Sequence, residues 1–180
     1  EPQVVSVDNN SAYDPNMAVS SQMNGSNIAW LAGYTGAGSK VAIIDTGLDI
    51  DHQSFNAKAF DHAIAEDAEK AGKSVSEMGL TDKDDITAVL SQLNASKRYA
   101  NLTADDLYLN SKVAYHFNYI DKNLNVTHMS DIEGEHGSHV SGIATANRYL
   151  EQADGTFVDA AKTVGVVGNA PDAQIFVMKV

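Results

Sequence analysis

The amino-acid sequence predicts an α/β fold built on a mainly parallel sheet. The segment Lys40–Asp45 is a continuous run of β-branched and small apolar residues, typical of a strand buried on both faces of a parallel sheet. Helix-like segments alternate with strand-like segments along the chain, as in α/β proteins. With 180 residues, 43% of them hydrophobic, the chain is long enough to form one domain with a sizeable core.

Two further segments, 112–119 and 174–180, are predicted as strands because they are rich in aromatic and β-branched residues. The last of them reaches the end of the sequence without a turn or cap signal. An unpaired apolar strand is an aggregation hazard, so we expect further polypeptide, on the same chain or on a second one, to complete the sheet.

Four segments are predicted as helices: 23–32, 56–70, 84–94 and 136–149. The second is expected to be exposed, because it is rich in Ala, Glu and Lys. The third is amphipathic, with Ile86, Val89, Leu90 and Leu93 at i, i+3, i+4 and i+7. Residues 103–106 resemble a capping box with Asp in place of Glu. Residues 1–26 are polar and turn-rich, and we expect an extended surface arm there.

Composition narrows the range of functions. The formal net charge of −12 disfavours binding to nucleic acid or to anionic membranes. The chain has no cysteine, which excludes disulfides and thiolate metal sites. No apolar run is long enough to span a bilayer, and the first residues lack the basic start and apolar stretch of a signal peptide.

Two motifs carry residues suited to catalysis. Asp45 lies at the carboxyl end of the first predicted strand, where α/β sheets place their sites, and Thr46-Gly47 allows a sharp turn beside it. Taken alone, Asp45 could equally be a turn residue that caps the next segment. His136 begins a predicted helix and is followed by Gly137, so its imidazole can stand clear of the backbone. Small residues farther along that helix favour close packing on the sheet.

These motifs resemble the subtilase family of serine peptidases over most of the chain. Residues 33–38 and the strand into Asp45-Thr46-Gly47 resemble the region of the family's catalytic Asp. Residues 136–142 resemble its His-Gly-Thr-His-Val-Ala-Gly signature, with departures at Ser138 and Ser141. Residues 168–173 resemble its Gly-Val-Ala-Pro-x-Ala segment.

A closer likeness is to the Gram-positive cell-envelope proteinases, the lactocepin and C5a-peptidase group, in residues 48–60, 112–119 and 131–143. Subtilisin separates its catalytic Asp and His by about 30 residues, whereas this chain separates Asp45 and His136 by many more. The resemblance therefore implies a three-layer subtilisin-like fold with a helical insertion at 56–110. Residues 1–180 would form only the N-terminal part of one catalytic domain.

The resemblance also implies a mechanism, in which Asp45 orients His136 and His136 activates a nucleophilic Ser. The family's Gly-Thr-Ser-Met-Ala segment does not occur in residues 1–180, and Ser138 and Ser141 are predicted to be packing residues. The nucleophile is then expected on the C-terminal remainder of the domain, as a second chain or as a following segment. The substrate would be a protein or peptide, at the cell wall or outside a Gram-positive cell. The alternative is a pseudoprotease that binds or regulates.

Other site types are weaker candidates. Asp-Thr-Gly also occurs in aspartic peptidases, but those are all-β and need a second such Asp. Several residues around the second motif are of types that bind metal ions: His128, Asp131, Glu133, Glu135, His136 and His139. The two histidines of the motif, His136 and His139, lack the spacing of a His-Glu-x-x-His zinc site. Residues 36–38 precede a strand, unlike a dinucleotide-binding loop. The chemistry requires no cofactor, and the family resemblance makes a structural calcium ion a further expectation.

Overall fold

The computed structural model describes residues 17–127 and 135–180. In chain order, the helices and strands are α1 (Met17–Asn24), α2 (Ser26–Leu31), β1 (Lys40–Asp45), α3 (Ala57–Ala71), α4 (Lys83–Val89), α5 (Ala104–Leu107), β2 (Val113–Asn118), α6 (His136–Thr145), β3 (Tyr149–Glu151), β4 (Phe157–Asp159), α7 (Ala160–Thr163) and β5 (Gln174–Lys179).

A three-stranded parallel sheet forms the centre of the molecule. Its strand order is β1-β5-β2, so the last strand lies between the two earlier ones. Both Asp45 of β1 and Asn118 of β2 lie opposite Lys179 of β5. Parallel strands need long crossover connections, and here helical segments supply them. The carboxyl ends of the three strands therefore meet at one edge, where Asp45 is the last residue of β1.

Apolar side chains cover both faces of the sheet, as the strand patterns predict. On one face, Ala144 of α6 packs against a buried cluster: Ile43, Leu48, Phe55, Val113, Val126, Ile175 and Val177. On the other face, α4, α5 and the turns between them supply most of a second cluster: Ile86, Ala95, Leu102, Ala104, Leu107, Tyr115 and Phe117. The helix–sheet–helix layering confirms the predicted α/β fold class.

Every regular element between residues 56 and 110 is helical, but α3 is not the exposed helix that its composition suggested. Phe60 and Ile64, one helical turn apart, are fully buried. Their apolar stripe decides the packing of α3, whereas its Glu and Lys residues occupy the outer face. Asn56 caps the start, accepting a hydrogen bond from the N–H of Ala59 at 2.9 Å. That these helices form an insertion over the rim of a cleft stays a prediction.

Other predicted boundaries also change. The helix expected over 23–32 is interrupted at Gly25, whose φ of 83° is left-handed. The part of the predicted surface arm that the structure describes forms helix α1 rather than an extended chain, and residues 1–16 lie outside the described residues. The α-helix expected over 84–94 ends at Val89, and a short 3₁₀ helix, Leu90–Gln92, follows it. The capping box at Thr103 and Asp106 is confirmed.

The helix that begins at His136 ends at Thr145, not at Tyr149. The carbonyl groups of its last turn accept hydrogen bonds from a segment that is distant in sequence. The N–H groups of Asn169 and Ala170 donate to the carbonyls of Ile143 and Ala144. The chain then enters β3, which pairs antiparallel with β4. In the part of the chain that the structure describes, no helix is long and apolar enough to cross a membrane.

Candidate active site

The structure brings Asp45 and His136 into direct contact, although 91 residues separate them in sequence. The Nδ1 atom of His136 lies 2.8 Å from Oδ1 and 3.0 Å from Oδ2 of Asp45. An ionised carboxylate can only accept hydrogen bonds, so this contact assigns the ring proton of the neutral imidazole to Nδ1. The His136 side chain is 61% exposed, whereas that of Asp45 is 16% exposed. The pair thus combines a held carboxylate with an imidazole that solvent can reach.

The surroundings of Asp45 keep its carboxylate charged. Partial burial acts to raise the pKa of Asp45, but hydrogen bonds from His136 and from the backbone N–H of Thr46 outweigh it, and the pKa is lowered. The Thr46 N–H donates to Oδ1 at 2.8 Å. A carboxylate that stays ionised can both orient an imidazole and stabilise its protonated form.

Two glycines allow the turn after β1 and the start of α6 to touch. Gly47 has a φ of 125°, and a Cβ on it would lie 2.2 Å from the carbonyl oxygen of Val126. A Cβ on Gly137 would lie 2.2 Å from the carbonyl oxygen of Gly47 and 3.2 Å from Oδ1 of Asp45. No side chain fits between these segments. The close approach lets His136 reach Asp45 from the first residue of its helix.

Hydroxyl groups join the same two segments. The Oγ1 atom of Thr46 accepts a hydrogen bond from the N–H of Gly137 at 3.0 Å, and Oγ of Ser138 accepts one from the N–H of Asp49 at 2.8 Å. Sequence reasoning missed both contacts and assigned Ser138 to packing alone. Ser141 fits its packing role: its buried hydroxyl has no hydrogen-bond partner among the described residues.

A buried ionic cluster anchors residues 168–173, the segment that is hydrogen-bonded to the last turn of α6. Arg148 lies between two carboxylates, with its Nε atom 3.0 Å from Asp172 and an Nη atom 2.8 Å from Asp67. Burial raises the pKa of Asp172 to about 6, against the opposing effect of Arg148. The side chain of Lys112, also buried, donates to the carbonyls of Pro171 and Ala173. Burial lowers the pKa of Lys112 to about 7.

No group of three His, Asp or Glu side chains within residues 17–127 and 135–180 is arranged to hold a metal ion. Three of the ligand types noted in the sequence, His128, Asp131 and Glu133, lie outside the described residues. The structural calcium ion implied by the family resemblance stays a prediction.

A cavity elsewhere in the molecule is not part of this site. Its volume is about 230 Å³, and its lining includes Trp30, Arg148 and Tyr149 but neither Asp45 nor His136. Asp45 and His136 instead meet at the carboxyl edge of the sheet, where α/β proteins place their active sites.

Comparison with known proteins gives consistent matches. Residues 36–180 match the sequence model of the subtilase family. The PII-type proteinase of Lactococcus lactis subsp. cremoris is 33% identical over 147 residues, which is 82% of this chain and 6% of that protein. The C5a peptidase of Streptococcus pyogenes is 26% identical over 145 residues, covering 81% of this chain and 9% of that protein. The minor extracellular protease Vpr of Bacillus subtilis is 54% identical over 41 residues, 23% of this chain and 5% of Vpr. The chain thus spans only a small part of each relative.

Proposed function

The chain belongs to the subtilase family, as its motifs predicted, and we propose that it supplies Asp45 and His136 of the catalytic triad of a serine endopeptidase. The observation that carries this proposal is the 2.8 Å contact between His136 Nδ1 and Asp45 Oδ1. The contact leaves Nε2 as the nitrogen that takes up a proton, and the imidazole is largely exposed to an incoming group.

The proposed reaction is acyl transfer followed by hydrolysis. Nε2 of His136 accepts the proton of a Ser hydroxyl while the Ser oxygen attacks the peptide carbonyl carbon. The imidazolium, stabilised by Asp45, then gives that proton to the leaving amine as the C–N bond breaks. Water repeats the sequence on the acyl-enzyme and releases the second product. Asp45 keeps its negative charge throughout.

We assign the nucleophilic Ser and the oxyanion-hole donors to the remainder of the same protease domain, either a following segment or a second, associated chain. Supporting this, residues 1–180 contain no Gly-Thr-Ser segment, and the relatives are far longer than this chain. The substrates would be proteins or peptides, and the protein would act outside the cell or at the cell wall. The similarity to the extracellular protease Vpr supports that location.

The test is labelling of the full-length protein that contains this chain with a fluorophosphonate, followed by peptide mapping. We expect one Ser outside residues 1–180 to be labelled and His136→Ala to abolish labelling, because only an activated Ser reacts. His139→Ala is the matched control: this exposed neighbour on the same helix should label like the wild type. A folded protein in which no Ser reacts would instead be a pseudoprotease.

A further inference from the structure

Two hydrogen bonds connect the turn after β1 to the first turn of α6, and they run in opposite directions. In one, the Thr46 side chain of the β1 turn accepts from the backbone of Gly137, the second residue of the helix. In the other, the Ser138 side chain of the helix accepts from the backbone of Asp49 in the turn. Each segment thus provides one hydroxyl acceptor and one backbone donor, so neither can slide along the other without breaking a bond.

Both bonds lie next to the reacting pair. Thr46 directly follows Asp45, and Gly137 directly follows His136. The first N–H groups of a helix have no partner within the helix, so the bond from Gly137 to Thr46 also supplies one of these missing acceptors. The same Thr46 donates its backbone N–H to the Asp45 carboxylate. One residue therefore contacts the acid directly and holds the residue that follows the base.

Packing covers little of the imidazole, because the His136 side chain is 61% exposed. The base and the acid also have no short covalent connection, since 91 residues separate them. The position of the imidazole over the carboxylate then depends on where the first turn of α6 is fixed.

We propose that Thr46 and Ser138 are positioning residues for the Asp45–His136 pair. This inference rests on the proposed function. Their hydroxyls hold the first turn of α6 against the β1 turn, so that Nδ1 of His136 stays within hydrogen-bond distance of the carboxylate during turnover. Neither residue contacts the substrate or exchanges a proton in this account.

The test uses the full-length protein that contains this chain. Thr46→Val and Ser138→Ala each remove the hydroxyl that accepts one of these bonds, with little change in volume, and Thr46→Ser restores it. Thr46→Val also removes the contact of that hydroxyl with the Asp45 carboxylate. Ser141→Ala is the matched control: it makes the same chemical change one helical turn farther along α6, at a hydroxyl without a hydrogen-bond partner among the described residues.

We expect kcat, measured per Ser titrated with fluorophosphonate, to fall about ten- to a hundredfold in Thr46→Val and Ser138→Ala, with KM nearly unchanged. Thr46→Ser should recover most of the rate, and Ser141→Ala should match the wild type. A merely structural role would lower the melting temperature and the number of titratable sites but leave kcat per site unchanged. That result would overturn the proposal.

A second readout needs no catalysis and so separates this proposal from the proposed function. Diethyl pyrocarbonate modifies neutral imidazole, and peptide mapping follows the rate at His136 as a function of pH. Because a nearby carboxylate stabilises imidazolium, Thr46→Val should move the midpoint to lower pH by about half a unit. Glu135, Asp49 and Asp51, the other carboxylates described in these two segments, are unchanged in every variant. Equal midpoints in wild type and Thr46→Val would refute positioning, whether or not the protein hydrolyses peptides.

Discussion

Replacing Gly137 with alanine should separate the Asp45–His136 pair without removing either side chain. The added Cβ would lie 2.2 Å from the carbonyl oxygen of Gly47, a backbone atom that cannot rotate away. Normal carbon contacts begin near 3.5 Å, so the first turn of α6 must move by about 1 Å. The gap between Nδ1 of His136 and Oδ1 of Asp45, now 2.8 Å, would widen beyond hydrogen-bond distance.

A misplacement of about 1 Å can cost on the order of a hundredfold in rate, and overpacking costs about 1–3 kcal/mol of stability. The assay is hydrolysis of a peptide amide by the full-length protein, with kcat expressed per Ser titrated by fluorophosphonate. Thermal unfolding of the same samples reports the loss of stability.

Gly142→Ala is the matched control on the same helix. A Cβ at Gly142 would meet no atom within 4 Å, so this substitution should leave kcat unchanged and raise stability by about 0.5–1 kcal/mol through helix propensity. If Gly137→Ala kept a kcat within about threefold of the wild type, the close approach would not position the pair, and the reasoning would be wrong.

Two further predictions concern the buried ionic cluster. Burial lowers the pKa of Lys112 to about 7, so between pH 7 and 10 the unfolded chain binds more protons. The unfolding free energy of the wild type should therefore rise with pH relative to that of Lys112→Met, by up to about 1.4 kcal/mol per pH unit. Denaturant unfolding at each pH measures this, and a difference between the two proteins that does not change with pH would contradict it. Burial raises the pKa of Asp172 to about 6, so the native state binds more protons between pH 4 and 6. Wild-type stability should fall relative to Asp172→Asn as pH rises through that window, by about 3 kcal/mol at most, and urea titrations that show no such fall would refute the assignment.

The strands could be predicted from sequence because their signal is local. The predicted first strand has the observed bounds, Lys40–Asp45, and the last ends one residue earlier than expected, at Lys179. Buried parallel strands need continuous apolar runs, and such runs are visible without knowledge of their partners. Asp45 and His136 were likewise found from short motifs at element ends, and the structure brings them together.

Features that depend on distant segments could not be predicted. The end of α6 at Thr145 is set by hydrogen bonds from residues 168–170, which contact the helix directly in space but lie far along the chain. The hydroxyls of Thr46 and Ser138 accept hydrogen bonds from residues 91 and 89 positions away, and a hydroxyl in a short motif carries no sign of such a partner. The burial of α3 was missed because Ala, Glu and Lys dominate its composition, although the spacing of Phe60 and Ile64 was a usable signal.

The most direct test of the central claim is the rate of Asp45→Asn in the full-length protein that contains this chain. If Asp45 orients His136 and stabilises its imidazolium, kcat per folded protein should fall by about 10⁴, as when the acid of a Ser-His-Asp triad is removed. Asp51→Asn, which neutralises an exposed carboxylate in the following turn, is the control and should retain the wild-type rate. If Asp45→Asn kept a rate within about tenfold of the wild type, the Asp45–His136 contact would not be the catalytic pair.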